Sequence, residues 1–321
     1  MRDSRHKPLD ADPGRGTYYH LINRTAGSPG EFPFGDLEKE QFLHLLKKLC
    51  AYYTIDVLAW QIMGNHFHLA AFAPVNEPSP EETARRYETY HKGKHHLDPD
   101  TPECIFLASK LRDISAFMHD LQQQFTSWYN KTHGNRRGAL WAGRFKNPIL
   151  EPRQTLLSLM TYIELNAVRA KLVEDPADYR FGSWGEWSAT GTHPFATTLL
   201  HHLRYNFGEH TADWTLADFH RELRTEFARI IEGDKREATP DSIQQAMTTA
   251  AKPAPLTAFN RRVRYWSDGL AIGSRLFLRN LMTQWHPAEK VENHRTSPQF
   301  QPANSATPPP ICAWRRLRAP G

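Results

Sequence analysis

The sequence predicts an α+β protein in which an antiparallel sheet carries helices on one face. The first observation is the order of apolar patterns in the first half of the chain, β-α-β-β-α-β-α, which is close to a split βαβ arrangement. The second is a Gly-Asn pair between two apolar, aromatic-rich segments, as in a β-hairpin. The third is a helical pattern from Leu216 onward, which predicts a mainly helical C-terminal extension.

The first four predicted elements are three strands and one helix. Residues 16–25 are aromatic and β-branched, and they predict the first strand. Apolar residues at helical spacing predict a helix over residues 36–49. Residues 55–62 and 66–72 predict the two strands of the hairpin.

The following part of the chain is less regular. Residues 74–105 contain several prolines, charges and histidines, and we interpret them as a surface insertion. A long amphipathic helix is predicted over residues 105–132. Residues 141–150 predict a fourth strand, and residues 152–169 predict a further helix that begins at a proline.

These elements predict one large domain over residues 16–190. The polar N-terminus, residues 1–15, is expected to be flexible. Residues 191–285 are predicted to form a helical C-terminal region, which includes a compact helical element over 263–285. Residues 286–321 are rich in proline and basic residues and are predicted to be a disordered tail.

The composition indicates a soluble protein with a mild positive charge. Forty Lys and Arg against 35 Asp and Glu give a formal net charge of +5, which permits a polyanionic partner without requiring one. The three cysteines are isolated, so neither a zinc knuckle nor a disulfide framework is predicted. No run of about 18 apolar residues is present, so we expect no membrane association and a cytoplasmic location.

Two histidines in the third predicted strand are candidate metal ligands. His66 and His68 are two positions apart, and a strand has a period of two, so both imidazoles leave the same face. Two imidazoles on one face supply half of a divalent-metal site. The alternative is one buried and one surface histidine, which is the more common outcome for an isolated His-x-His pair.

The helix predicted over residues 152–169 supplies a candidate nucleophile and a third ligand. Tyr162 and Asn166 are four positions apart and are expected on one helix face. If this helix lies beside the histidines, the Asn166 amide oxygen becomes a ligand and the Tyr162 hydroxyl points at the metal. A phenol has a pKa of about 10, and a bound metal helps its attack by making the phosphate more electrophilic. The alternative is that Tyr162 belongs to the core and Asn166 is a polar residue at a helix end.

A basic, aromatic segment lies between these two regions. Residues 121–150 contain no acidic residue and five basic ones, interleaved with Trp and Phe. Cations that hold phosphates and aromatic faces that stack bases are typical of a single-strand nucleic-acid groove, and a solvated basic loop is the alternative. The candidate DNA-binding residues of this segment are Arg136, Arg137, Trp141, Arg144 and Lys146.

These residues resemble the REP-associated tyrosine transposases, a family within the single-tyrosine HUH transposases. The matching motifs are YHLINRT at 19–25, MGNHFHL at 63–69, WAGRFK at 141–146, YIELNAVRAKLV at 162–173 and DYRFGSW at 178–184. They occur in the family's order and cover roughly residues 15–190. One departure is Asn166-Ala167, where the family commonly has Asn-Pro.

The resemblance implies a ferredoxin-like fold and a metal-dependent enzyme that cuts and rejoins single-stranded, hairpin-bearing DNA. It implies that His66, His68 and Asn166 bind Mg²⁺ or Mn²⁺. It also implies that Tyr162 attacks a DNA phosphate, which leaves a 5′-phosphotyrosine link and a free 3′-OH. We therefore expect the paired histidines and the tyrosine to act in one reaction.

The resemblance also bears on DNA binding. Trp141 and Arg144 match a motif that we assign to DNA contact, and Arg24, in the first motif, joins the expected DNA-binding residues. The region 191–285 becomes a candidate for accessory DNA binding through its basic aromatic run at 261–266, and a helical domain that only stabilises the fold is the alternative. We expect a nucleoid-associated monomer or homodimer that binds single-stranded or hairpin DNA.

Two other classes of function stay open at this stage. One is a regulatory protein that binds hairpin DNA without cutting it, and the intact set of His66, His68, Tyr162 and Asn166 argues against it. The other is a hydrolase of RNA or another phosphodiester that uses water, with Tyr162 purely structural. Replacement of Tyr162 by Phe distinguishes them, because it abolishes a covalent adduct and spares a hydrolase that uses water.

Overall fold

The computed structural model describes residues 7–28, 30–237, 266–267, 269–287, 289, 291 and 311–315. The chain forms two compact units. Residues 1–147 and 166–194 make up the first, and residues 148–165 and 195–321 make up the second. Strands and helices occur in both units, and the C-terminal part contains several helices, so the predicted α+β class is confirmed.

Three antiparallel strands form the sheet of the first unit. They are β1 (Gly16–Arg24), β2 (Asp56–Ile62) and β3 (His66–Pro74), and β3 pairs with both of the others. The N–H of Met63 donates to the carbonyl of His66 at 2.8 Å and closes the turn between β2 and β3. The hairpin predicted around the Gly-Asn pair is therefore confirmed.

Helices cover the sheet face that carries Phe67. The first unit contains α1 (Asp36–Tyr52), α2 (Pro80–Tyr90), α3 (Pro102–Leu111) and α4 (Ile114–Thr132). The ring of Phe42 in α1 lies 4.8 Å from that of Phe67 in β3 and 5.2 Å from that of Phe125 in α4. All three rings are fully buried, so the core of this unit lies between β3 and these two helices.

The interval interpreted as a surface insertion contains two well-defined helices, α2 and α3. Pro80 and Pro102 stand in their first turns, and the side chains of Ser79 and Thr101 cap them by accepting backbone N–H groups. Cys104 is fully buried at the start of α3. The interval is therefore part of the packed structure of the first unit. Its prolines and charges are typical of a surface loop and did not indicate this packing.

The helix predicted over residues 105–132 is interrupted. Asp113 lies between α3 and α4, and its carboxylate accepts the N–H groups of Ser115 and Ala116 at 2.5 and 3.0 Å. This capping gives α4 a new beginning and separates it from α3.

The fourth strand predicted over residues 141–150 is only partly formed. Lys146 forms a single β-bridge with Ile22 of β1, and Trp141 forms one with Thr25, directly after β1. Within residues 141–150, only β4 (Ile149–Leu150) is a strand. Between the two bridges the carbonyl of Gly143 accepts a hydrogen bond from the side chain of Asn23 at 3.0 Å. The Asn23 side chain thus contributes to the contact between β1 and this segment.

The second unit combines a small set of strands with helices. Strand β4 pairs in parallel with β5 (Gly269–Gly273), which pairs antiparallel with β6 (Cys312–Arg315). Among the described residues, the helices after α4 are, in chain order, α5 (Gln154–Glu164), α6 (Asn166–Arg169), α7 (Ser183–Thr190), α8 (Ala196–Phe207), α9 (Leu216–Glu237) and α10 (Arg275–Met282). Of these, α6 and α7 belong to the first unit.

The C-terminal region differs from the prediction in two elements. Strand β6 (Cys312–Arg315) lies within residues 286–321, which were predicted to be a disordered tail, and it pairs with β5. The compact helical element predicted over residues 263–285 contains β5 before α10, because the apolar run from Gly269 to Gly273 pairs with β4 and β6. Most of the predicted tail and the basic run at 261–265 lie outside the described residues. Among the residues that are described, no helix combines the length and apolarity needed to span a bilayer.

Candidate active site

The two histidines of β3 lie on one face, as the strand period predicts. Their ring centres are 5.1 Å apart, and the rings meet edge to face at 87°. Phe67 lies between them in sequence and contacts α1, so the histidines leave the sheet on the face away from that helix.

The orientation of His66 is set by the residue before it. The side-chain amide nitrogen of Asn65 donates to the carbonyl of Glu31 at 3.0 Å, which turns its amide oxygen toward His66. That oxygen lies 2.7 Å from His66 Nδ1. An amide oxygen only accepts, so Nδ1 carries the proton and Nε2 has the lone pair that a cation requires.

His68 is oriented by a third histidine, His20 on β1. Nε2 of His20 lies 2.9 Å from Nδ1 of His68, and both side chains are buried. When His68 donates in this bond, its Nε2 is the nitrogen that can ligate a cation. The register places Ile22 opposite His68, so His20 stands one step further along the same face of β1.

Both candidate ligands are neutral near pH 7, which is the form that binds metals. Burial is the larger cause and the charge of Arg24 the smaller, and together they lower the pKa of His66 to about 4. Burial is also the main cause at His68, and the electrostatic effects of His20 and His66 add to it, so the pKa of His68 lies well below its ordinary value. Within the described part of the chain, no cluster of three or more His, Cys, Asp or Glu side chains is arranged to hold a metal ion. A cation at the two histidines would therefore take its other ligands from amide or substrate oxygens.

Tyr162 lies in α5, within the second unit. Its side chain is only 1% exposed, and its ring stacks on that of Trp266 with centres 5.5 Å apart and planes 23° apart. Packing against another aromatic ring therefore fixes the orientation of the Tyr162 ring.

Asn166 does not continue the helix of Tyr162, contrary to the expectation of one helix over residues 152–169. Helix α5 ends at Glu164, and Leu165 has a ψ of 3°, outside the helical range. Asn166 then opens α6, with its carbonyl accepting the N–H of Ala170 at 2.9 Å. Asparagine is a poor residue for a helix interior, so the break places Asn166 at a more favourable position, the start of a helix.

The basic segment lies along β1, on the side away from β3. The N–H of Ala26 donates to the carbonyl of Leu140, and the N–H of Ala142 to that of Arg24, at 2.8 and 2.9 Å. Further along, Ile22 and Lys146 exchange two backbone hydrogen bonds. The side chains of the five predicted basic residues are all exposed, and they are Arg24, Arg136, Arg137, Arg144 and Lys146.

Trp141 has a packing role that the sequence did not indicate. Its ring lies 5.5 Å from Phe67 and 5.9 Å from both Phe34 and Phe125, and its indole N–H donates to the Thr126 hydroxyl at 2.9 Å. The indole thus anchors the basic segment to the core of the first unit. The DNA contact predicted for this residue stays a prediction.

Sequence reasoning missed two residues that orient the candidate ligands, His20 and Asn65. Both stand inside the quoted motifs, but neither was given a role. The signal for Asn65 is its position directly before His66. The signal for His20 is weaker, because its contact with His68 depends on the pairing register of β1 and β3, which local periodicity does not determine.

Comparison with known proteins finds a likeness to a solved structure. A solved structure of a REP-associated tyrosine transposase bound to a REP hairpin is similar to this chain at 15% identity and a TM-score of 0.38. The match covers 60% of this chain and 87% of that one. No protein-family model matches the sequence, and no curated protein matches it.

Proposed function

We propose that this protein is a divalent-metal-dependent enzyme that cuts and rejoins single-stranded, hairpin-bearing DNA. The observation that carries the proposal is the pair of neutral imidazoles on β3, His66 and His68, whose Nδ1 atoms are both engaged by neighbouring side chains. Such hydrogen bonds hold imidazole ligands with Nε2 toward a cation. The exposed basic side chains that follow β1 support a polyanionic substrate.

The residues present fit a divalent cation with mixed nitrogen and oxygen ligands. His66 and His68 would hold it through Nε2, and Asn166 is the proposed amide-oxygen ligand. All three ligands are neutral, so they would not offset the positive charge of the ion, which could then attract phosphate oxygens. Mn²⁺ or Mg²⁺ suits this set of nitrogen and oxygen ligands. When bound, the ion makes the attacked phosphorus more electrophilic and offsets charge in the transition state.

Tyr162 is the proposed nucleophile, on the strength of its place in the motif at 162–173. Its hydroxyl oxygen forms a bond to phosphorus and the P–O3′ bond breaks, which gives a 5′-phosphotyrosine and a 3′-hydroxyl. The phenol proton passes to water, and the departing 3′-oxygen takes up a proton. In rejoining, a 3′-hydroxyl attacks the phosphotyrosine and the tyrosine leaves with a proton.

The basic side chains are proposed to hold the DNA while this exchange occurs. Arg24 stands at the end of β1, paired in register with His66, and it is exposed. Arg144 and Lys146 lie on the segment that runs beside β1. Contacts of this kind position the backbone without reading its sequence, so they set affinity and salt dependence.

The test is a covalent-adduct assay with the full-length protein, Mn²⁺ and end-labelled single-stranded hairpin oligonucleotides. The expected result is a label that runs at protein size on a denaturing gel and disappears with chelator. Tyr162→Phe is expected to remove the adduct while keeping the ring stacked on Trp266, and Tyr87→Phe serves as the tyrosine control. An adduct that survives Tyr162→Phe contradicts the assignment of the nucleophile.

The same assay separates the metal from the DNA contacts. His66→Ala and His68→Ala are expected to abolish Mn²⁺-dependent cleavage and to leave most of the DNA affinity, because the basic side chains supply that affinity. His44→Ala, at an exposed position in α1, is the matched control. Tight hairpin binding without any adduct in the unaltered protein would favour a regulatory DNA-binding protein, and cleavage that persists in Tyr162→Phe would favour a hydrolase that uses water.

A further inference from the structure

We propose that Phe32 is a stacking platform for a nucleobase adjacent to the phosphate that the histidine pair engages. The inference rests on the proposed function and specifies how the same site holds single-stranded DNA. It concerns a residue outside every motif used above.

The first observation is the exposure of Phe32. Its side chain is 68% exposed, although large aromatic side chains are usually buried. Phe34, two positions later, is 2% exposed and packs against the rings of Phe125 and Trp141 at 5.2 and 5.9 Å. The same loop therefore sends one phenyl ring into the core and presents the other to solvent.

The second observation is where the exposed ring lies. A Cβ atom added at Gly64 would stand 3.0 Å from Cβ and Cδ1 of Phe32, so the phenylalanine rests directly on the glycine of the hairpin turn. Gly64 is two residues before His66, the partly exposed member of the histidine pair. Phe32 is thus close to the end of β3 at which a substrate phosphate is expected.

The third observation is that the loop is fastened to this turn. The N–H of Phe34 donates to the carbonyl of Gly64 at 2.9 Å, and the side-chain amide of Asn65 donates to the carbonyl of Glu31 at 3.0 Å. The backbone is therefore hydrogen-bonded on both sides of Phe32. An aromatic ring on a fastened backbone loses little conformational freedom on stacking, which suits it to bind a flat partner.

An exposed cation near the turn under Phe32, Arg24, favours a nucleobase over an apolar peptide as the partner. Arg24 is exposed and pairs in register with His66. The Thr25 N–H also donates to the carbonyl of Asn65 at 2.8 Å, so the end of β1 and the turn under Phe32 are joined. A cation for a phosphate and an aromatic face for a base therefore stand on neighbouring backbone segments, as in single-strand binding grooves.

The test compares Phe32→Ala with Phe106→Ala, a change at an equally exposed phenylalanine in α3. The probe is a single-stranded hairpin oligonucleotide and a series of versions that each carry one abasic position. Loss of one stacked base typically weakens binding about 10-fold, so Phe32→Ala is expected to bind the intact probe about 10-fold more weakly. Phe32→Trp is expected to keep the affinity, and Phe106→Ala to leave it unchanged.

The abasic series gives the decisive result. The unaltered protein is expected to lose about 10-fold in affinity at one abasic position, and Phe32→Ala is expected to lose nothing further at that same position. Equal affinities of Phe32→Ala and the unaltered protein, with adduct formation intact, would overturn the stacking role and leave the proposed function standing. Absence of any single-strand binding by the unaltered protein would overturn both.

Discussion

His66 and Tyr162, the proposed ligand and the proposed nucleophile, are held in place by different forces. His66 is partly exposed at the end of a strand, and a hydrogen bond from Nδ1 to Asn65 fixes its ring. Tyr162 is buried in a helix, and stacking on Trp266 fixes its ring. Hydrogen bonds thus determine which nitrogen a histidine presents, whereas packing determines where the tyrosine ring lies and contributes more to folding stability.

The largest effect is expected where packing holds the tyrosine. Trp266 is fully buried, and its replacement by Ala removes the ring that stacks on Tyr162 and leaves a large cavity. We expect Trp266→Ala to lower the free energy of unfolding by about 3–5 kcal/mol, measured by urea denaturation. Trp266→Phe retains a ring and is expected to cost clearly less. A loss below about 1 kcal/mol for Trp266→Ala would mean that packing is not what positions Tyr162.

Replacement of His20, the hydrogen-bond partner of His68, is expected to affect folding stability less than Trp266→Ala does. Its main expected effect is on metal binding. His20→Leu removes the hydrogen-bond partner of His68 Nδ1 while filling much of the same buried volume. We expect the Mn²⁺ affinity of the protein to fall about 10- to 100-fold, measured by titration with detection of free Mn²⁺ by electron paramagnetic resonance. His44→Leu is the surface control, and an unchanged affinity in His20→Leu would show that His68 needs no such partner.

The two regions also differ in how far the sequence predicts them. The common face of His66 and His68 follows from the strand period alone, because β1 pairs along the whole of β3 and its regular register keeps that period intact. The helix over residues 152–169 followed an equally clear period, yet it breaks at Leu165. Helical periodicity reports which face is apolar, and it does not report a change of ψ at one residue.

The remaining differences have the same kind of cause. The break before α4 depends on capping by Asp113, and the segment predicted as a fourth strand contacts the end of β1 through two single bridges and a hydrogen bond from the Asn23 side chain to Gly143. The partner of His68 depends on strand register. Each is a specific contact between residues whose individual propensities permit more than one structure, so local patterns in the sequence do not predict it.

A buried amide beside the histidines tests whether the loss of hydrogen bonding to water on burial outweighs the packing of the side chain. Gln61 lies opposite His68 in register and is 1% exposed, and its amide nitrogen has no hydrogen-bond partner among the described residues. A buried polar group without a partner costs about 1–3 kcal/mol, so Gln61→Met is expected to raise the free energy of unfolding by about 1 kcal/mol. Urea denaturation measures this, with Gln123→Met at an exposed position of α4 as the control. A destabilised Gln61→Met would mean that the amide makes a favourable interaction.

The smallest effect is expected at Asp113, where hydrogen bonds act without extensive packing. Its carboxylate caps α4 and pairs with Lys7, and although burial opposes the charged form, Lys7 and the backbone N–H groups hold the pKa of Asp113 below its ordinary value. Asp113→Ala is expected to cost about 1 kcal/mol at pH 7, while Asp113→Asn, which still caps, costs less.

The pH dependence of these variants follows from the direction of the shift. Because the folded state holds the Asp113 proton more weakly than the unfolded state, the charge of Asp113 stabilises the fold above about pH 4, and this contribution is lost as the pH falls further. The stability difference between the unaltered protein and Asp113→Asn should therefore shrink in acid, as measured by urea denaturation at pH 7 and near pH 3. A difference that is constant with pH would mean that the charge of Asp113 does not contribute to the stability of the fold.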